Sequence, residues 1–247
     1  MVNRMNTHSQ RYCLLAGFGI LSLAGLAGCQ DAAAQKNGKD SPQPQAKKVE
    51  IAKNVFLEIE GDKRRVLVNG AVCRREGQLE QFLCRKMTKE HEAIVSAEID
   101  AAKVHAALLA AGAEKGGPAK FDPKYTPAHG TVIKVFVQWE EKGKTKKVPA
   151  QEWVKNIKTK KQLEHDWVFA GSFLIPNRLD PKAPPFYAAN DGDVICLANF
   201  DSAMLDLPIA SSKENEDLVF EAWTERIPPL DTPVVVILEP VVPAKKK

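Results

Sequence analysis

Val55-Phe56-Leu57-Glu58-Ile59, the turn Gly61-Asp62-Lys63 and then Arg65-Val66-Leu67-Val68 set apolar runs on either side of a glycine turn, the pattern of a half-buried β-hairpin. The same style continues downstream. Ala71-Val72-Cys73 and Leu79-Glu80-Gln81-Phe82-Leu83-Cys84 flank the turn Arg75-Glu76-Gly77, a second predicted strand pairing, and Ala93-Ile94-Val95-Ser96-Ala97 extends the series. Residues 131–139 read as another strand closed by a turn at Gly143, with later strands expected at 167–174, 194–198, 218–223 and 233–238.

Helical spacing begins after Asp100, a suitable N-cap. Val104, Ala107, Leu108 and Ala111 share one face, and Gly112 supplies a stop. A shorter helix is expected from Pro149 onward, bringing Trp153, Val154 and Ile157 to one side. The predicted fold class is therefore α+β: mainly antiparallel sheet, one clear helix at about 100–111 and a shorter one at about 150–157.

The N-terminal segment has a different character. Arg4 and Arg11 precede Cys29 with no acidic residue among them, and Cys13 to Gly28 is almost wholly apolar or small. That run is shorter than the ~20 residues a membrane-spanning helix needs, and it fits a signal peptide core. It closes on Leu26-Ala27-Gly28-Cys29, which resembles the bacterial lipobox. The resemblance implies that residues 1–28 are removed and that Cys29 is acylated, which makes a lipid bilayer the first expected partner. Residues 30–48 hold no apolar side chain larger than Ala, so 29–48 reads as a tether unable to fold alone. Gln30 after the cysteine resembles the sorting signal for the outer membrane, which points to the periplasmic face of that membrane in a Gram-negative cell envelope. A single globular domain is expected over 49–242, followed by a basic tail, 243–247.

Charge limits the other partners. The chain carries 35 basic and 31 acidic residues. Setting aside Arg4 and Arg11 with the leader, and Lys36, Lys39, Lys47 and Lys48 against Asp31 and Asp40 in the tether, leaves 29 of each sign in 49–247. A neutral domain gives no electrostatic footprint for nucleic acid. Local runs such as 142–147 and 155–161 read as solvated faces.

Four segments then carry a family resemblance: His91-Glu92-Ala93, His105-Ala106-Ala107-Leu108 with Gly112, Gly117-Pro118, and Trp167-Val168-Phe169-Ala170-Gly171-Ser172. Together they resemble the YdjY-like domain family over nearly all of 49–240. The resemblance implies no established activity. A ferredoxin-like description of some relatives does not transfer, because the clustered C-x-x-C-x-x-C spacing of an iron-sulfur site is missing here.

Candidate chemistry rests on few residues. Once Cys13 leaves and Cys29 is lipidated, Cys73, Cys84 and Cys196 remain, and a Cys73–Cys84 disulfide across the intervening turn is one reading. Three buried free thiols are the other. A metal site would recruit Cys73, Cys84 and His91 with Cys196 or His129, but neither a C-x-x-C knuckle nor H-E-x-x-H is present. Catalysis would draw on His91 with Glu92, on His129, or on His165 with Asp166, none inside a recognised motif. His105 reads as a half-buried residue on the helix flank. We therefore expect a membrane-anchored binding or structural domain without a cofactor and with an envelope protein as a further partner. The alternative is an exported enzyme or metal-binding protein using these His and Cys side chains.

Overall fold

The computed structural model describes residues 46–211 and 218–242. The expected leader 1–28, Cys29, the tether up to residue 45 and the tail 243–247 lie outside them. β1 (Lys47–Ala52), β2 (Val55–Glu60) and β3 (Lys63–Val72) run as an antiparallel meander. β4 (Gln81–Arg85), β5 (Ala93–Ala97) and the helix α1 (Ala101–Ala110) follow. The short strands β6 (Lys115–Gly117) and β7 (His129–Gly130) pair with each other, and the long β8 (Val132–Glu141) turns into β9 (Lys144–Pro149).

Beyond these come β10 (Val154–Asn156), β11 (Trp167–Phe169), β12 (Leu174–Ile175) and β13 (Phe186–Tyr187). The last four strands are β14 (Ile195–Cys196), β15 (Leu205–Asp206), β16 (Phe220–Ala222) and β17 (Pro233–Pro240).

Eight of these strands close on themselves in the order β3, β17, β8, β11, β15, β14, β4, β5. The ring returns to β3 where Ala71 faces Ser96 and Val72 faces Val95. The domain is thus mostly β, built on a closed eight-stranded barrel with one α-helix among the described residues, which overturns the α+β expectation. Apolar alternation along a strand is the same in an open sheet and a closed one, so local periodicity carries no sign of closure. The expected hairpin joining Ala71-Val72-Cys73 to Leu79–Cys84 also does not form. β5 inserts between β3 and β4, antiparallel to the first and parallel to the second.

The expected helix at 150–157 is likewise replaced. Ala150–Trp153 makes a single 3-10 turn, and the chain then extends into β10, which pairs with β16. Trp153 and Val154 are both buried, and Val154 onward pairs in register with Ala222, Glu221 and Phe220, so the backbone donors and acceptors that a helix would use internally go to β16 instead.

Alternation positions the barrel core. On β8, Ile133, Val135, Val137 and Trp139 are buried while Val132 and Lys134 are exposed. Opposite them lie Val234, Val236 and Leu238 of β17, which in turn face Gly70, Val68 and Val66 of β3. Trp139, Trp153, Phe82 and Trp167 form a chain of ring contacts with centroids 5.3, 6.3 and 5.9 Å apart. The indole N–H of Trp167 donates to the Cys196 carbonyl at 2.7 Å. α1 packs against β2 and β3, with Asp100 as N-cap accepting from the Ala102 amide at 2.9 Å.

One carboxylate sits wholly inside this framework. Asp206 is 0 % exposed and accepts from Asn199 Nδ2 at 2.9 Å and from the Leu207 amide at 2.8 Å. Burial pushes its pKa up to about 6, against these hydrogen bonds that favour the anion.

Two outcomes are expected. A Cβ at Gly70 would lie 2.7 Å from the Ser96 carbonyl oxygen and 3.1 Å from Val95 Cγ1, at the strand pair that closes the barrel. Gly70→Ala should therefore lower the stability measured by urea unfolding by about 1–3 kcal/mol, the usual cost of overpacking. For Asp206 the folded pKa lies above the unfolded one. Its favourable contribution is therefore complete below the ordinary value of 3.8 and is lost as pH rises through about 6. The difference in unfolding free energy between Asp206→Asn and the parent should move in favour of the variant by roughly 2 kcal/mol from pH 4 to pH 7.

Candidate functional site

Where β11 ends, the chain makes a tight turn through Gly171 (φ +92°) and Ser172 (φ +50°). Only glycine suits the first position, because a Cβ there would lie 2.8 Å from Lys115 Cβ. This turn brings three distant stretches together around a cavity of about 390 Å³ lined by His105, Lys115, Ser172, Phe173, Leu174 and Tyr187. The size lies within the range of small-molecule sites.

Each side chain has an identifiable support. Tyr187 ends β13, which pairs with β12 so that Leu174 faces Tyr187. His105 lies in the second turn of α1, whose start is clamped by Asn190: its side chain accepts from the Ala101 amide at 2.7 Å and donates to Asp100 at 3.0 Å. The imidazole is flanked edge-on by Phe169 and Tyr187, with centroids 4.8 and 5.5 Å away.

The Tyr187 hydroxyl donates to the Gly171 carbonyl at 3.0 Å. His105 Nδ1 lies 2.8 Å from the same hydroxyl. Burial, then the nearby Lys115 ammonium, push the His105 pKa below its ordinary 6.5, against a hydrogen bond to the Gly171 backbone that raises it. Burial also raises the Tyr187 phenol, with Ser172 partly opposing it. The Ser172 hydroxyl oxygen accepts from the Ala189 amide at 3.1 Å. The site thus offers an imidazole, a lysine cation and an apolar lip. Phe173, Leu174 and Phe186 are 47, 59 and 41 % exposed.

A second concavity of about 670 Å³ lies beside Lys53, Arg85, Met87, Glu98 and Lys103. In it Lys53 pairs with Glu98, and Arg85 donates to the Asn190 carbonyl at 3.2 Å.

The residues singled out from sequence are scattered. His91 is largely exposed, with Nε2 3.5 Å from Glu92 Oε2. Glu92 belongs instead to a buried ionic knot: Lys89 Nζ lies 3.0 Å from Asp193, 3.8 Å from Glu92 and 4.0 Å from Glu80. Burial alone would lower the Lys89 pKa, but Asp193 and Glu92 outweigh it and raise it, so the cation is held. Gln81 Nε2 donates to Asp193 at 3.0 Å and Ser202 donates to its other oxygen. This knot fastens the loop after β4 to the segment before β14.

His129 is exposed, with its ring over Gly117. Cys73 is half-buried, Cys84 and Cys196 are buried, and all three thiols are free. Cys73 and Cys84 are hydrogen-bonded to each other. Among the described residues no group of three or more His, Cys, Asp or Glu is placed to hold a metal.

Sequence reading passed over Lys115 and Tyr187 and left Ser172 and His105 without a joint role. The signal available was indirect: two of the four resemblance segments supply His105, Gly171 and Ser172 to the cavity wall. No curated protein and no solved structure matches the chain. The YdjY domain model matches residues 57–239, which takes in the whole barrel and this cavity, and the chain therefore belongs to the YdjY domain family.

Proposed function

We propose that this YdjY-domain protein is a lipid-anchored component of a bacterial cell envelope whose barrel binds a small amphipathic molecule without transforming it. The cavity around His105 and Tyr187 is the observation that carries the binding reading. Its wall joins an apolar lip to a few fixed polar groups, the usual composition of a ligand site. The hydrogen bonds favour recognition over catalysis. His105 and Tyr187 are hydrogen-bonded to each other, and the phenol also donates to the Gly171 carbonyl, so both polar groups are held in place to meet a ligand.

The anchoring half of the reading rests on the basic leader, the short apolar run and Leu26-Ala27-Gly28-Cys29. Two acyl chains on Cys29 would supply stable membrane attachment that one alone does not. The interval from Cys29 to β1 at Lys47 would then join membrane and barrel.

Two measurements test these halves separately. Cys29→Ala should abolish metabolic labelling with palmitate and release the protein from the membrane fraction, and retention of both would refute anchoring through this residue. For the cavity, anilinonaphthalene sulfonate offers an apolar body with one anionic group. It should show saturable fluorescence at a single site, weakened about tenfold, a loss of roughly 1.4 kcal/mol, by Leu174→Glu or Lys115→Glu. Equal fluorescence in the parent and both variants would sink the binding assignment.

A further inference from the structure

Cys73 and Cys84 take no part in the cavity, and their surroundings differ from those of the third thiol. Cys84 on β4 faces Ser96 of β5, and Ser96 faces Ala71 of β3 on its other side. Cys73 stands two residues beyond Ala71. Side chains two apart in extended chain share a face, so both thiols come to the face that carries the Ser96 hydroxyl. The backbone holds this arrangement, with the Cys73 amide donating to the Ile94 carbonyl at 2.9 Å and its thiol to the Ala93 carbonyl at 3.1 Å.

We infer that Cys73 and Cys84 are a redox-active dithiol in which Cys73 is the entry thiol and Cys84 the resolving one. Exposure assigns the roles, since Cys73 is half-buried and Cys84 is 0 % exposed. The hydrogen bond from Cys84 favours the Cys73 thiolate and lowers its pKa against the burial that raises it, and Ser96 adds to the effect. The same contact and burial push Cys84 up. Cys196, fully buried near Asp193 and Asp206, has its thiol held protonated and joins neither step.

The oxidant is a disulfide-bonded thiol compound of low molecular weight. The Cys73 thiolate attacks one of its sulfurs, forming a mixed disulfide, and the first thiolate leaves and takes up the proton that Cys73 gave up. With the Cys73 anion consumed, Cys84 loses the charge that opposed its ionisation. It passes its proton to solvent and attacks Cys73 Sγ, and the second thiolate departs. Two protein thiols and one external disulfide thus become one protein disulfide and two external thiols, with two electrons transferred.

β5 lies between the two cysteine-bearing segments, and two strand spacings in a flat sheet span ~9.5 Å. A disulfide wants its Cα atoms within about 7 Å, so closure must draw Cys73 toward β4. The segment 73–80 has no regular structure outside one bridge at Gln78, but Arg75 ties it to the Ile227 and Thr224 carbonyls at 3.1 Å, so closure works against those bonds. A bond formed against such a displacement is an easily reduced one.

The test treats the folded protein with excess oxidised glutathione, then alkylates it under denaturing conditions for mass spectrometry. The parent should retain one alkylatable thiol, Cys196, and regain the other two with millimolar dithiothreitol. Cys84→Ala should stop at a stable glutathione adduct on Cys73, and Cys73→Ala should not react. Circular dichroism checks that each variant folds, and should Cys84→Ala fail to fold, the parent together with Cys73→Ala decides alone. Three alkylatable thiols in the treated parent, a lasting glutathione adduct in the parent, or unchanged oxidation of Cys73→Ala would each overturn the assignment.

Discussion

The fold depends on a short seam. Ala71 and Val72 of β3 pair with Ser96 and Val95 of β5, and without them the eight strands would be an open sheet with two raw edges. The seam works only because Gly70 has no side chain where β3 passes the Ser96 carbonyl. β3 also meets β17 along 66–71 and β2 along 63–68, so one strand serves three neighbours at different points of its length. On its other face Arg65 gathers Glu58, Glu60 and Glu239, tying β2, β3 and β17 with partly exposed charge. Exposed pairs of this kind add little stability each; the apolar alternation within the ring supplies the larger share.

The cavity follows from the seam. β5 leads through Asp100 directly into α1, so closing the barrel fixes where the helix begins, and Asn190 locks that start to the chain beyond β13. His105 is thereby set against Phe169 on β11 while Tyr187 arrives from the opposite side. No single element builds the site. The rigid part is the barrel wall, and the exposed hairpin of β12 and β13 forms the lip.

What could be read from sequence divides along the same line. The strand at 132–141 announces itself through Ile133, Val135, Val137 and Trp139, and α1 through Asp100 and the spacing of Val104, Ala107 and Leu108, because these signals are local. The parallel pairing of β4 with β5 and the insertion of β5 beside β3 are decided by contacts across the barrel, and no turn residue encodes them. Strands of two residues, such as β13 and β15, have no period to detect. The site was hidden for a related reason. Lys115 and Tyr187 stand alone in unremarkable stretches, and only the turn at Gly171 brings them near His105. Conversely, His91-Glu92 looked like chemistry because of its neighbours in sequence, although His91 is largely exposed and Glu92 also reaches the Lys89 knot.

A closed ring consumes its own edges, but this sheet carries three strands outside the ring, β1, β2 and β9. β1 continues the sheet beyond β2, and β9 branches from the second half of β8, so each offers unpaired backbone groups to whatever approaches. Both are dressed for that exposure. Lys47, Lys48 and Glu50 stand along β1, and Lys144, Lys146 and Lys147 along β9. Bringing like-charged lysines side by side is unfavourable, and charged edges are a common guard against strand addition by a second copy. The lysine runs that give this neutral domain its local basic patches thus have a colloidal role: they let many barrels crowd together without their sheets merging into one.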